Sequence, residues 1–421
     1  MRELTSIDVL FLISMGAIWL LLLYHAFLTY GGYRCFLKSM EIDEKIEKCP
    51  DEDLPFVSVL VPAHNEEAVI GKTVDAICQS DYPRDKLEVI VINDSSTDKT
   101  GEILKEKQKM YPFLKVVTLK PPLGAGGKSN ALNQGLKEAK GEFIVVYDAD
   151  NTPERKAIRY LAAAIISDSK LGAVVGKFRT RNADVNLLTR FINIETISFQ
   201  WLVQAGRYHW FRLTTITGTN FIIRKNVIEK VGGWRLDALT EDTELTIRVY
   251  NEGYFIRWLP DSVTWEQEPE KIRVWLKQRT RWARGNMWVI AHYFKHILRL
   301  NRRISWDVLY FFYTYLIFFI SVVVSDIIFI LGLTGLARLT ITGPFLIIWI
   351  MAYILFILET FISLSLERGQ GNIKNLLITS LMYFTYCQLW LYLVFRAAWV
   401  SVKDKITGRE FYWYKTERSG R

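Results

Sequence analysis

The stretch Glu142-Phe-Ile-Val-Val-Tyr-Asp-Ala-Asp150 decides the fold class of this chain. Its first part, Phe143–Val146, is apolar at every position, which is typical of a parallel strand covered on both faces. Asp148 and Asp150 follow directly, where the strand ends. Open α/β sheets bind their ligands at the carboxyl ends of the strands. The stretch therefore predicts a buried strand that brings two carboxylates to one edge of a sheet.

Similar apolar runs lie on both sides of this strand and alternate with helical patterns. The predicted strands are 56–61, 88–92, 115–119, 142–147 and 172–177. The predicted helices between them are 68–79, 99–110, 129–139 and 154–167. This alternation indicates an α/β sheet of the nucleotide-binding type.

The 421-residue chain also carries long apolar segments at both ends of this region. Residues 9–30 contain no Asp, Glu, Lys or Arg, and further apolar segments follow at 308–333, 345–366 and 376–402. At about 1.5 Å per helical residue, each segment is long enough for a hydrocarbon core about 30 Å thick. We predict a transmembrane helix in 1–32, an α/β domain in 54–265, interface helices in 266–304, transmembrane helices in 305–402 and a basic, aromatic tail in 403–421.

Basic residues flank these segments unevenly. Arg34 and Lys38 follow the first segment, so the α/β domain is expected in the cytoplasm of a multi-pass plasma-membrane protein. One crossing before the domain and three after it would then leave the tail outside, although that tail is basic from Lys403 to Arg421. The sequence leaves two explanations open: one segment is re-entrant or interfacial, or the charge tendency fails here.

The overall charge narrows the classes of partner. The 53 basic and 44 acidic side chains give a formal net charge of +9. The basic residues cluster beside the membrane segments and not along one soluble face, so no nucleic-acid partner is expected. Anionic lipid headgroups of the bilayer are the expected partner of many of them.

Two strand ends carry polar residues suited to a nucleotide. Asp94 follows one predicted strand and can accept a hydrogen bond from a base or ribose, although Asp-Ser-Ser-Thr is also a good helix cap. Asp148 and Asp150 offer the oxygen ligands that Mg²⁺ or Mn²⁺ prefers, with positions left for a diphosphate. A plain loop cap is the alternative for that pair.

Two further strings lie nearer the membrane segments. Thr240-Glu241-Asp242 opens a helical run, where a carboxylate can deprotonate a sugar hydroxyl, but a helix cap explains the string as well. Gln278-Arg-Thr-Arg-Trp282 offers guanidinium groups for a diphosphate and an indole face for a sugar ring. Membrane-interface chemistry is the competing explanation for its Arg and Trp residues.

In this order, and followed by membrane segments, these four motifs resemble those of the processive membrane-integrated family-2 glycosyltransferases. That family includes cellulose, chitin, hyaluronan and poly-N-acetylglucosamine synthases. The resemblance covers residues 55–282 and implies a Rossmann-like GT-A catalytic domain between transmembrane helices. It implies an inverting, metal-dependent enzyme that polymerises a UDP-activated hexose or N-acetylhexosamine into a β-linked polysaccharide and exports it.

The resemblance also implies roles for single residues. The UDP-sugar donor would be bound by Asp94, Lys128, Asp148 and Arg281. The ligands of Mg²⁺ or Mn²⁺ would be Asp148 and Asp150, and the catalytic base would be Asp242. The growing polysaccharide acceptor would be bound by Gly218, Thr219, Asn220, Glu241, Gln278 and Trp282. The chain departs from the bacterial cellulose synthases in having no evident gating loop or cyclic-dinucleotide-binding domain, and residues 411–418 are hypothesised to supply a short flap.

Two other functions use the same observations. A non-processive transferase that glycosylates a membrane lipid would need the same motifs. A catalytically inactive membrane component of an export complex would not need them, so the intact acidic motifs argue against it. An accessory membrane subunit stays open as a partner.

Overall fold

The computed structural model describes residues 4–40, 44–336, 338–341, 343 and 345–408. Its strands are β1 (Val57–Ala63), β2 (Leu87–Asp94), β3 (Leu114–Leu119), β4 (Phe143–Val146), β5 (Thr152–Pro153), β6 (Leu171–Thr180), β7 (Phe221–Arg224) and β8 (Phe255–Glu266). Its first ten helices are α1 (Ser6–Ser39), α2 (Glu44–Glu47), α3 (Ile70–Cys78), α4 (Thr100–Met110), α5 (Gly127–Glu138), α6 (Ala157–Ile166), α7 (Leu187–Ser198), α8 (Ala205–Phe211), α9 (Lys225–Lys230) and α10 (Glu241–Asn251). They are followed by α11 (Ile272–Phe294), α12 (Arg302–Phe312), α13 (Phe319–Leu333), α14 (Phe345–Ser365), α15 (Ile373–Phe384) and α16 (Tyr386–Thr407). The flap hypothesis for residues 411–418 lies outside the described residues.

One eight-stranded sheet forms the centre of the α/β domain, in the order β3-β2-β1-β4-β7-β6-β8-β5. The predicted α/β fold is confirmed, and β1 to β4 are parallel as expected. The sheet as a whole is mixed, because β7 runs antiparallel to both β4 and β6 and separates them. The sequence reading missed β7, a run of only four residues, and also missed β8.

Both faces of the sheet are covered, which explains its uniformly apolar strands. Val57, Val59 and Val61 of β1 pack into one hydrophobic cluster. Leu60 points to the opposite face and packs into a second cluster. Helices α3 and α6 contribute to the first cluster, and α5 and α10 to the second. This burial on two sides fixes the carboxyl ends of β1, β2 and β4 at one edge of the domain.

Four helical segments are long and apolar enough to cross a membrane among the described residues: Ser6–Ser39, Arg302–Leu333, Phe345–Ser365 and Ile373–Thr407. The second consists of α12, a π-helical segment Tyr313–Phe318 and α13. Helix α11 lies within the region 266–304, for which interface helices were predicted, and contains Gln278–Trp282.

The last apolar segment, predicted over 376–402, consists of two helices. Helix α15 ends at Phe384, and Thr385 has φ −121° and ψ −77°, outside the helical region. Helix α16 begins at the next residue, Tyr386. Hydropathy alone does not reveal this break, because both helices are apolar and no Gly or Pro separates them.

Helix α1 packs closely against the α/β domain through glycines. A Cβ on Gly32 would overlap the carbonyl oxygen of Trp201, and one on Gly206 would overlap that of Leu28. The Trp210 indole donates to the carbonyl of Phe27 at 3.0 Å. The carboxyl-terminal part of α1 is therefore in direct backbone contact with the domain.

Candidate functional site

A cavity of about 970 Å³ lies at the carboxyl ends of β1, β2 and β4 and extends to α11. The predicted site residues that line it are Asp94, Lys128, Asp148, Asp150, Gly218, Thr219, Glu241, Asp242, Gln278, Arg281 and Trp282. The structure thus brings four motifs that are far apart in the sequence to one space. Parallel strands explain this for Asp94 and Asp148, while α10 and α11 close the opposite wall.

The end of the cavity at β1 and β2 is built from two connected loops. The backbone N–H of Asn65 donates to the Ser96 hydroxyl at 2.9 Å, and the Asn65 side chain accepts from the N–H of Thr97 at 2.7 Å. Asp94 is buried, and its carboxylate accepts from the N–H of Ala125 at 2.6 Å. These bonds order the loops that line this end before any ligand arrives.

The centre of the cavity is a cluster of carboxylates around one ammonium group. The Lys128 Nζ lies 2.6 Å from Asp148 Oδ1 and 3.4 Å from Glu241 Oε1. It also donates to the carbonyl of Gly218 at 2.9 Å. Burial alone would lower the pKa of Lys128, but the carboxylates of Asp148, Glu241 and Asp242 raise it above its ordinary value. Lys128 therefore carries a positive charge in a largely acidic centre.

The first turn of α10 directs Asp242 into this centre. Burial and, after it, the neighbouring Glu241 raise the pKa of Asp242, Lys128 opposes them, and the result is a pKa of about 7. Its Oδ1 accepts from the N–H of Thr243 at 2.7 Å. Thr240, the residue before α10, makes no side-chain capping bond. A helix-cap role therefore does not explain Thr240, and the carboxylate of Asp242 is held where it can exchange a proton near neutral pH.

Gly218 allows the loop before β7 to approach these charges. It has φ +78°, and a Cβ there would lie 2.8 Å from Asp242 Oδ2 and 3.2 Å from Lys128 Nζ. Only glycine adopts this conformation readily and leaves that space open. Thr219, next to it, accepts from the N–H of Asp148 at 3.1 Å and joins the loop to the end of β4.

Asn220 has a different position from the one that the resemblance implied. Its side chain is fully buried, accepts from the Tyr147 hydroxyl at 3.0 Å, and donates to the carbonyls of Lys177 and Ser262 at 2.9 Å each. It lies behind the cavity wall and not in it. Asn220 therefore supports the loop and has no position from which to contact an acceptor directly.

Helix α11 supplies the wall nearest the membrane helices. Arg279, which the sequence reading did not single out, donates to Gln278 Oε1 at 3.0 Å and stacks over the Trp282 ring, with 4.0 Å to the ring centroid. Arg279 is buried and also donates to Glu195 Oε2 at 2.9 Å. It holds Gln278 and Trp282, two of the side chains of this motif that face the cavity.

Three further lining residues were missed by sequence reading: Glu195, Tyr315 and Trp390. Glu195 of α7 accepts from the Trp390 indole at 2.8 Å and from the Tyr386 hydroxyl at 2.9 Å. Tyr315 accepts from the Asn286 amide at 2.8 Å. These residues belong to no local motif, and only the packing of the apolar helices against the domain brings them to the cavity.

The donor set after β4 suits a hard divalent cation. Asp148 and Asp150 both face the cavity from the end of one strand. No group of three or more His, Cys, Asp or Glu side chains that could hold a metal occurs in the described part of the chain. A cation at this pair would therefore take its remaining oxygen ligands from a diphosphate and water, as Mg²⁺ commonly does.

The sheet order, the strand-end carboxylates and the cavity define a glycosyltransferase of the GT-A fold. The chain belongs to the family described as glycosyltransferase like family 2, whose family model matches residues 55–285. The fold is shared with a mannosyltransferase from Pyrobaculum calidifontis that was solved with GDP-mannose and Mn²⁺. The TM-score is 0.54 and the sequence identity 22%, over 89% of this chain and 99% of that one.

Curated relatives within the family differ in what they make. A probable glycosyltransferase of Bacillus subtilis (strain 168), YdaM, is 51% identical over 98% of both chains. A β-monoglucosyldiacylglycerol synthase of Nostoc sp. is 34% identical over 72% of this chain and 64% of its own length. A poly-β-1,6-N-acetyl-D-glucosamine synthase of Staphylococcus aureus (strain COL) is 31% identical over 67% of this chain and 68% of its own length.

Proposed function

We propose that this enzyme is an inverting glycosyltransferase that transfers a hexose or N-acetylhexosamine from a UDP-sugar to a growing β-linked polysaccharide. We propose further that it is a multi-pass protein of the plasma membrane, with the catalytic domain in the cytoplasm and export of the polymer through its membrane helices. The similarity to a poly-N-acetylglucosamine synthase supports this substrate class. The basic residues near the end of the first apolar helix, Arg34 and Lys38, support the orientation.

The continuity of the cavity is the observation that carries the proposal. The same space is lined by Asp94 at one end and by Trp282, Tyr315 and Trp390 at the other, with Asp242 between them. A nucleoside diphosphate sugar suits the loop-lined end. The aromatic end has apolar ring faces of the kind that pack on sugar rings, so an acceptor there would present its terminal hydroxyl to Asp242.

The proposed chemistry is a single displacement at the anomeric carbon. The acceptor hydroxyl attacks that carbon while Asp242 accepts the hydroxyl proton, and the bond from the carbon to the diphosphate oxygen breaks on the opposite face. Lys128 and Arg281 line the cavity and would face the leaving diphosphate. Mg²⁺ or Mn²⁺ held by Asp148 and Asp150 would neutralise the negative charge that builds on UDP.

Glycosylation of a membrane lipid is a second candidate, favoured by one specific observation. The acceptor end of the cavity is walled by Tyr315 and Trp390, which belong to the apolar helices. A lipid headgroup could reach Asp242 from the membrane past these residues. The similarity to a β-monoglucosyldiacylglycerol synthase supports this candidate.

Product size distinguishes the two candidates. We expect purified enzyme in lipid nanodiscs, supplied with Mn²⁺ and a panel of radiolabelled UDP-sugars, to form a labelled product of high mass that is cut by a β-specific glycosidase. A product that extracts entirely into organic solvent and contains one sugar would overturn the polysaccharide proposal in favour of the lipid one. Release of free sugar alone, with every acceptor tested, would contradict both.

The acceptor role of the aromatic end gives a separate prediction. Trp390→Ala removes a ring from the cavity wall, so we expect the KM for the acceptor to rise by about tenfold while the KM for the UDP-sugar stays unchanged. Trp390→Phe should restore most of the loss. The matched control is Trp399→Ala on the same helix, whose side chain is 70% exposed and should have little effect. Equal changes in the two KM values would contradict an acceptor role.

A further inference from the structure

We infer that the last apolar segment, Ile373–Thr407, is not a fourth membrane crossing but a re-entrant hairpin. In this arrangement α15 runs back beside α14 without crossing the bilayer, the helix breaks at Thr385, and α16 lies in the interface on the side of the catalytic domain. The partner of its outer face is the headgroup layer of an anionic bilayer. This inference does not depend on which sugar or acceptor the enzyme uses.

The other three apolar segments show what a crossing looks like in this fold. At the ends that lie away from the catalytic domain, the Asp8 carboxylate accepts from the N–H of Thr340 at 2.8 Å, and the centroids of the Phe11 and Phe345 rings are 4.9 Å apart. At their near ends, α1 packs on α8, Arg207 of α8 pairs with Asp307 of α12, and Glu367 follows α14. Each of these segments therefore has one end on the catalytic domain and the other end away from it.

Helix α14 returns the chain to the catalytic domain. The Glu367 carboxylate pairs with Arg179 and lies 3.2 Å from Lys177 Nζ, both on β6. It also accepts from the Trp201 indole at 3.0 Å. These ion pairs lower the pKa of Glu367 to about 2 in spite of its burial. After these three crossings the chain is therefore on the same side as the active site, immediately before α15.

Helix α15 is too short to cross again. Its 12 residues span about 18 Å, whereas the hydrocarbon core is about 30 Å thick. Its last two rings, Tyr383 and Phe384, pack on Tyr353 of α14 at 5.1 and 5.0 Å between centroids. Tyr353 lies about 18 Å along α14 from Ser365, so α15 runs back beside only part of α14.

Both ends of α16 are held by the catalytic side of the molecule. Near its start, the Tyr386 hydroxyl accepts from the Trp275 indole at 2.9 Å, and Trp390 donates to Glu195. Near its end, Asp404 Oδ2 accepts from Arg284 of α11 at 2.6 Å. Tyr386 and Asp404 are separated by about 27 Å of helix, yet both contact α11. A helix crossing the bilayer would leave one of these ends on the opposite face.

The faces of α16 fit this position. Tyr386, Leu393 and Ala397 are buried in the cluster that includes Trp275 and Ala283 of α11. On the other side, Trp399 and Ile406 are 70% and 80% exposed. Arg396, Lys403 and Lys405 provide positive charge beside these apolar side chains, the composition of a helix that lies on an anionic membrane. The mean hydropathy of the 373–407 segment is 1.4, against 2.3 to 2.7 for the other three.

The test is the side of the membrane on which α16 ends. Thr407→Cys is treated with a membrane-impermeant maleimide in intact cells and in inverted vesicles of the same strain. Lys109→Cys on the catalytic domain and Leu336→Cys between α13 and α14 mark the two sides, and the unsubstituted protein gives the background. We expect Thr407→Cys to be labelled in the same preparation as Lys109→Cys, and labelling together with Leu336→Cys would overturn the inference.

A second measurement uses the full chain without substitution. Green fluorescent protein and alkaline phosphatase are each fused after Arg421, because the first fluoresces only when it stays in the cytoplasm and the second is active only outside it. We expect the fluorescent fusion to be bright and the phosphatase fusion to be inactive if Lys109→Cys marks the cytoplasmic side. The reverse pattern would establish a fourth crossing.

Discussion

The largest loss of activity is expected for Asp242→Asn, which should lower kcat by about 10³-fold, equivalent to about 4 kcal/mol of transition-state stabilisation. Asn keeps the shape of the side chain but does not accept the proton of the acceptor hydroxyl. Because burial disfavours the charge of Asp242, the neutral side chain should leave the fold intact. The KM for the UDP-sugar should change little, and thermal unfolding followed by circular dichroism checks the fold.

Asp237→Asn is the matched control for this substitution. Asp237 lies in the loop before α10 and pairs with Arg235 at 2.6 Å on the protein surface, outside the cavity wall. It should keep nearly full activity. A kcat for Asp242→Asn within tenfold of the unsubstituted enzyme would exclude Asp242 as the base.

The pH profile provides a second check on the same residue. Asp242 must be ionised to accept a proton, and burial raises its pKa to about 7. Activity should therefore be present above this pH and be lost as the pH falls through about 7. In Asp242→Asn, the residual rate should not show this acidic limb. The same limb in both proteins would assign it to another group.

The second large effect is expected for Lys128→Met. This change removes the ammonium group between Asp148 and Glu241 and leaves acidic side chains facing one another and the incoming diphosphate. Removing one partner of a buried charge cluster costs several kcal/mol, so we expect kcat/KM for the UDP-sugar to fall by at least about 10²-fold. Calorimetry should show UDP binding weakened by a similar factor.

Two variants control for unrelated effects of this change. Lys137→Met removes an exposed lysine from the same helix, α5, and should leave UDP binding unchanged. Lys128→Arg keeps the positive charge and should recover part of the affinity. If Lys128→Met folds and binds UDP as tightly as the unsubstituted protein, Lys128 does not contact the diphosphate.

The sequence predicts the parallel half of the sheet well, because its strands are buried on two faces and their apolar runs contrast with the helices between them. The two strand-end acidic positions, Asp94 and Asp148, follow from the same pattern. The antiparallel insertion of β7 between β4 and β6 depends on long-range pairing that no local pattern records.

The residues of the candidate site also divide into those that the sequence predicts and those that it does not. Motif residues such as Asp242 and Trp282 stand out locally, and the structure gathers them in one cavity. Glu195 and Trp390 carry no local signal, because their position depends on how α7 and α16 pack beside α11. Asn220 shows the opposite case, since a motif position proved to be a buried support. Hydropathy did not predict the helix break at Thr385, because it gives the length of an apolar segment and not the course of its backbone.

The buried pair of Arg207 and Asp307 has a mechanical consequence. It joins α8 of the catalytic domain to α12 within the first turns of a membrane helix, while Glu367 makes a second polar junction at β6. With α1 in backbone contact as well, the described part of the domain is joined to the apolar helices at three places. These contacts fix the position of Asp242 relative to the apolar helices, so under the proposed function an acceptor hydroxyl must be presented at one height above the bilayer to be glycosylated.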